Sequence, residues 1–245
     1  KKKGITRRKN AIALFSMMIP GLIYLLINNY VPMAGLVIAF KRYDFSKGMW
    51  GSEWCGLSNF TYLFKTRDAF NIIRNTVLYN LGFIVFGTVL AVTVAVMLNF
   101  LKGKLSKKVY QTLILIPYLV SMVIVSYIVY GFLSTESGFL NKLIVGLGGK
   151  SVSWYTQAKF WPYILTLVYL WKSFGYTSIL YYATVIGIDS ALYEAAAIDG
   201  ATRWKQIWHV TLPGLKTTII TMVLLSVGRM FFSDFGLFYQ VPMHS

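Results

Sequence analysis

Five apolar runs, each long enough to cross a bilayer, leave this chain few folds to choose from. They cover residues from about 11 into the thirties, then about 72–100, 109–133, 161–188 and 213–239. A hydrocarbon core roughly 30 Å thick takes about 20 residues of helix, and lipid offers backbone amides no partner. Open sheets cannot sit there, so each run is read as a helix. Only 13% of the 245 residues are charged, about half the share of a soluble domain. The expected fold is therefore all-α, one polytopic transmembrane bundle over 1–245.

The sequence opens KKKGITRRK, with six cations directly before the first run. A secretory signal begins the same way. Here, however, the apolar run continues through LLINNYVPMAGLVIAF without a small-residue cleavage site, and further spans follow. It reads as a retained first span whose basic end stays in the cytoplasm. The loop KGKLSKK, with Lys102, Lys104, Lys107 and Lys108, then also falls inside, as does the segment 189–213. Segments 41–71 and 134–160 fall outside. The net charge of +16 is explained by orientation in an anionic bilayer, because its cations flank spans and no phosphate loop or RNA-binding signature accompanies them. Membrane lipid is thus an expected partner and nucleic acid is not. Cys55 is the single cysteine, so no internal disulfide or paired-cysteine metal site is available.

The segment EAAAIDGATRWKQIWHVTLPGL, residues 194–215, breaks the apolar pattern. Asp189-Ser190 offers an N-cap to a short helix rich in alanine, and Gly200 suits its C-terminal end. Thr202 can cap a second helix whose Trp204, Ile207 and Trp208 share one face. Pro213 is expected to force Leu212 out of helical geometry and to open the next span. The product is a helical hairpin on the inner membrane face, with Glu194 and Asp199 available to cations and Ala195 and Ala196 allowing close approach. An amphipathic linker resting on headgroups would have the same shape.

The order of residues resembles something more specific. Glu194, Ala195, Ala196, Gly200, Leu212 and Pro213 match the EAA loop of ABC-importer permeases, with Val210 where the family often has Ile. WCGLSNFTYLF, LILIPYLVS, SGFLNKLIVGLG and LWKSFGYTSILYYATV are similar to the branch carrying oligosaccharides and polysaccharide fragments. The resemblance implies a type I importer permease of six spans, five of them present here. It implies a second permease subunit, cytoplasmic ATPase subunits that bind ATP and Mg, and an extracellular solute-binding protein that delivers a glycan. The chain itself would hold no cofactor, and the loop would be the ATPase-coupling helix.

Ionisable groups within spans are functional suspects by default. Lys172 stands near the middle of the fourth run, with Tyr169, Ser173 and Tyr176 on its helical face. In the fifth run Ser226, Arg229, Ser233 and Gln240 are expected to form a polar stripe. Aromatic faces and hydrogen-bond donors suit a sugar path. The same cations could instead satisfy neighbouring carbonyls, or pair with Asp234 or a partner subunit, for purely structural ends, although Asp234 is poorly placed to meet Arg229 on one helix. His209 and His244 have no acid at a metal-ligand spacing, and no catalytic set is apparent. A membrane-embedded glycan or lipid transferase, the competing class, would need paired carboxylates or a His/Cys cluster.

Overall fold

The structure is a computed structural model that describes residues 2–242, with side chains from residue 14 onward except at positions 62 and 63. His244 and the side chains of the basic N-terminal run lie outside the described residues. The chain divides into two compact units, Lys1–Ile72 and Ile73–Ser245.

In the first unit, α1 (Lys2–Leu25) passes into a π-helical turn (Leu26–Tyr30) and a 3-10 segment (Val31–Phe40). Asn28 and Asn29 return amide donors to the carbonyls of Tyr24 and Leu25, where the ladder changes register. Residues Leu14–Phe40 form one candidate span. Beyond it the all-helical expectation meets a small exception. Strands β1 (Lys41–Arg42) and β2 (Glu53–Trp54) pair antiparallel around the short helix α2 (Gly48–Gly51). Two-residue strands carry no readable period. Their staple is Lys41, only 4% exposed, whose ammonium donates to the carbonyls of Met49 and Trp50 at 3.1 Å and lies over the Trp54 ring. At the turn, the Ser46 hydroxyl and amide hold the Asp44 carboxyl below its ordinary range. Helix α3 (Ser58–Lys65) follows, its Asn59 amide bridging the carbonyls of Ala39 and Lys41.

Helix α4 (Arg67–Phe100) is the longest span candidate. The third apolar run is not one straight helix. It consists of α5 (Lys104–Leu119) and α6 (Met122–Leu133), bent by 94°. Pro117 removes an amide donor near the end of α5, and Ser121, in extended geometry, starts α6 by accepting from the Ile124 amide. Helix α7 (Phe139–Gly146) realises the GFLNKLIVG pattern. Its Asn141, 3% exposed, donates to the carbonyls of Ser134, Thr135 and Val152 and accepts from the Val152 amide and the Trp154 indole. That one side chain closes the 134–160 segment.

Helix α8 (Trp161–Val185) has 25 residues, a length of about 37 Å, enough to span. Tyr, Trp and Ser residues and Lys172 interrupt its aliphatic run. Helices α9 (Ser190–Ile198) and α10 (Arg203–Gln206) form the hairpin, and α11 (Leu212–Val227) is the last long helix. Here the structure corrects two expectations. Leu212 is helical (φ −65°, ψ −43°), and the span candidate runs unbroken over Arg203–Val227. A π-helical turn at Ile207–Thr211 shifts the hydrogen bonds, so the Leu212 amide reaches the Ile207 carbonyl and Pro213 is accommodated. At its other end the helix stops at Val227, well before residue 239, and a second π-helical turn covers Gly236–Gln240.

Two apolar cores hold this unit together. One joins Ala91, Ala95 and Leu98 of α4 to Tyr181 and Val185 of α8 and Leu215 of α11. The other joins Phe83, Val125, Leu165, Val168, Leu237 and Val241. Many large apolar side chains elsewhere are exposed, as a lipid-facing bundle requires.

The most extensive helix contact, α5 against α8, depends on Gly175. A Cβ there would stand 1.7 Å from the Ile114 carbonyl oxygen, and backbone cannot yield as a side-chain tip can. Gly175→Ala is expected to destabilise by at least about 1–3 kcal/mol, the usual range for overpacking. In detergent the thermal midpoint should fall by several degrees. An unchanged midpoint and membrane abundance would disprove this close packing.

Candidate functional site

Two places gather the functional suspects. The first is a cavity of about 390 Å³ lined by residues of α4, α5, α6, α8, α11 and the segment after α11. It brings together Tyr169, Lys172, Ser173, Ser226 and Arg229 from the sequence reading. Tyr176 is one step away, stacked on the cavity residue Tyr118 at 4.7 Å between ring centres. Ser233 does not line the cavity and is exposed. The expected stripe over Ser226, Arg229, Ser233 and Gln240 fails because the helix ends at Val227 and Gln240 lies on a later π-helical turn, so the four share no helical face.

That early end has a second effect. Arg229 and Asp234, poorly placed to meet on one helix, both reach the cavity from the irregular turn between them. Asp234 Oδ1 accepts from the amides of Gly236 and Leu237, starting the next turn. Asn80 donates to the Phe232 carbonyl and ties the turn to α4. Phe83 and Tyr169 stack nearly parallel at 3.9 Å, forming an aromatic wall. Asn80, Phe83 and Tyr118 were not singled out from sequence. Asn80 and Phe83 lie on α4 and Tyr118 on α5, so no spacing along one helix could have linked them all.

Lys172 has a specific duty. Where α5 breaks, its last carbonyls lack helical donors. The Lys172 ammonium donates to the carbonyls of Pro117, Tyr118 and Val120. A lysine from α8 thus caps the C-terminal end of α5, where the helix dipole favours a cation.

The second place is the hairpin. The Asp189 carboxylate accepts from the Ala191 amide at 2.9 Å and caps α9, as its sequence foretold. Gly200 has φ +75°, a left-handed turn that a side chain would strain. Thr202 caps α10. Glu194, Ala195 and Asp199 are exposed and Ala196 is half-buried. Ile198, 87% exposed, was overlooked in sequence, where an isoleucine among alanines reads as a buried position. Pro213 is exposed and Leu212 packs on the first core. The Tyr193 hydroxyl and Thr211 Oγ1 share a 2.9 Å hydrogen bond between α9 and the π-helical turn, while the Arg203 guanidinium lies over Phe100 at the end of α4. Trp204 and Trp208 pack edge-to-face and are exposed, and only Ile207 of that trio joins the core. His209 bonds the Lys205 carbonyl within its own helix. Among the described residues no cluster of His, Cys, Asp and Glu could hold a metal ion.

Residues 84–236, from mid-α4 through the hairpin to the post-α11 turn, match the family of binding-protein-dependent transport system inner membrane components. The chain belongs to this family. It is a multi-pass inner membrane permease component of an ABC transporter, a transport subunit and not an enzyme. It is 39% identical over 216 residues to the polygalacturonan/rhamnogalacturonan transport system permease protein YteP of Bacillus subtilis, covering 88% of this chain and 67% of that protein. With protein LplB of the same species the identity is 37% over 215 residues, covering 88% and 68%. Among solved structures, a bacterial ABC transporter involved in import of the acidic polysaccharide alginate superposes with a TM-score of 0.85 at 32% identity, covering 98% of this chain and 82% of that one.

For the permease, the cap on α5 gives a direct test. Lys172→Met should leave three carbonyls at the bend without their cation, at a cost of about 1–3 kcal/mol for each group left buried and unpaired. Thermal unfolding of the purified complex should start at lower temperature, and Lys172→Arg should recover part of the loss. Equal stability of Lys172→Met and the parent would remove the capping role.

Proposed function

We propose that this permease component imports an oligosaccharide or polysaccharide fragment, delivered by an extracellular solute-binding protein, through the cavity between α4, α8 and α11. It would pair with a second permease subunit and seat the 189–213 hairpin in a groove of cytoplasmic ATPase subunits, which bind the ATP and Mg. The observation that carries this reading is mechanical. One unbroken helix begins in the hairpin at Arg203 and ends at Val227, and its last turn places Ser226 in the cavity. The Tyr193–Thr211 bond ties α9 to the same helix. A push on the hairpin is therefore a push on the cavity wall, which suits alternating access about a mid-membrane site.

The exposed surface of Glu194, Ala195, Asp199 and Ile198 supports docking, since it offers two carboxylates, a small residue and one large apolar side chain for a partner groove to cover. The cavity supports a saccharide cargo. The half-buried Tyr169 ring, backed by the buried Phe83, offers a flat face for sugar C–H surfaces, and Asn80, Ser173 and Ser226 offer polar groups for hydroxyls. Relatives carry related names: YteP's is polygalacturonan/rhamnogalacturonan transport, and one neighbouring structure holds an alginate pentasaccharide-bound periplasmic protein.

Docking is tested by three substitutions outside every apolar run. Ala196→Trp should overpack the seat, Gly200→Val should strain the turn, and Glu194→Lys should reverse a charge at the contact. Membrane abundance should stay at the parent level while copurified ATPase, or substrate-stimulated hydrolysis, falls severalfold. Normal assembly and coupling in all three would return the hairpin to the linker reading. Orientation is tested separately. In a Cys55→Ser background, Lys150→Cys should react with an impermeant thiol reagent from outside, and Lys104→Cys should not. The reverse pattern would invert the whole topology.

A further inference from the structure

We infer that Arg229 is the carboxylate-recognition residue of the cavity, and that the cargo it selects is an acidic saccharide bearing uronate groups. The inference rests on the saccharide-import reading above and narrows it to a charge class. The cavity holds two cations, Lys172 and Arg229, against one carboxylate, Asp234. Charge alone would make the cations equivalent. Their hydrogen bonds do not. An ammonium has three donors, and Lys172 directs its own at three carbonyls of the α5 bend. Its capacity is spent on the fold.

Arg229 is placed differently. Its guanidinium rests over the Phe232 ring at 5.1 Å, and among the described residues it makes no hydrogen bond. No ion pair joins it to Asp234 within 4.0 Å, the only such pair among the described residues being Lys47–Glu53. Asp234 is itself engaged by the amides of Gly236 and Leu237. A guanidinium carries five donors in a planar fork that matches a carboxylate two bonds at a time, and stacking on a ring leaves that fork free. Arg229 is exposed at the cavity, and at membrane depth a cation without a bound anion is costly. The anion expected is one that comes and goes with the cargo. The carboxylate of a uronate, held on a sugar ring that packs against Tyr169, meets these requirements. A neutral sugar would leave the fork unanswered.

The test uses the complete transport complex in detergent, with trigalacturonate and its fully methyl-esterified, uncharged form as probes, and measures binding of each. The parent should bind the charged probe roughly tenfold or more tightly than the ester, the usual worth of a charge-assisted contact. Arg229→Gln should erase that preference while ester binding changes less than about twofold. Arg229→Lys should keep part of it, because the charge stays and the fork is lost. Should Arg229→Gln fail to accumulate, Asp234→Asn reads the same property in the opposite sense. Removing the competing negative charge should widen the preference. A parent with no preference, or an Arg229→Gln complex that keeps the parent's preference, overturns the inference, as does an unchanged or narrower preference in Asp234→Asn. Copurification of the ATPase is scored in parallel. Its absence from the parent would count against the transport reading itself, whereas an assembled complex without charge preference counts against Arg229 alone.

Discussion

A broken helix inside a bilayer must find donors for the carbonyls it exposes, because lipid supplies none. In this permease that requirement is met by Lys172 reaching from α8 to the end of α5. Much of the surrounding architecture follows. The cap permits the 94° bend between α5 and α6, and the bend brings Tyr118 and Met122 to the cavity rim. Gly175, one turn along α8 from the lysine, lets α5 approach closely enough for the reach to succeed. A charged residue in a span is expensive, and so is a run of unpaired carbonyls. Each removes much of the other's cost.

The other break in the bundle is handled without a cation. After Val227 the chain leaves helical geometry, and Asn80, Asp234 and local turns take over the backbone groups. This irregular stretch borders a polar cavity, where non-helical backbone at membrane depth is tolerated. It also changes what the side chains can do. Arg229 and Asp234 would point in different directions from a continuous helix. Released from it, they share the cavity.

Between these two breaks runs the stiff part of the mechanism. The π-helical turn at Ile207–Thr211 accommodates Pro213 without ending the helix, so hairpin and span remain one body. Leu215 anchors that body in the first core beside Tyr181 and Val185. A continuous α11 with irregular backbone at its far end suits the coupling role proposed for the hairpin.

The sequence alone determined the all-helical bundle, because runs of 20 or more apolar residues admit little else in lipid. It also determined the hairpin's caps at Asp189, Gly200 and Thr202, since capping is decided by residues within a few positions of one another. The likeness to binding-protein-dependent permeases was legible in the same short stretch, from Glu194 to Pro213. Tertiary structure decided what those local rules could not reach. Pro213 reads as a helix stop, yet a widened turn carries the helix through it. Ser226, Arg229 and Ser233 read as one stripe, yet the helix ends among them. Lys172 and Arg229 read as equivalent cations, and only the α5 bend, built from residues more than 50 positions away, occupies one and leaves the other free. The physical reason is the range of the interactions. Hydrophobic length and caps act along the chain, whereas the pairing of orphaned carbonyls and buried charges depends on which helices meet.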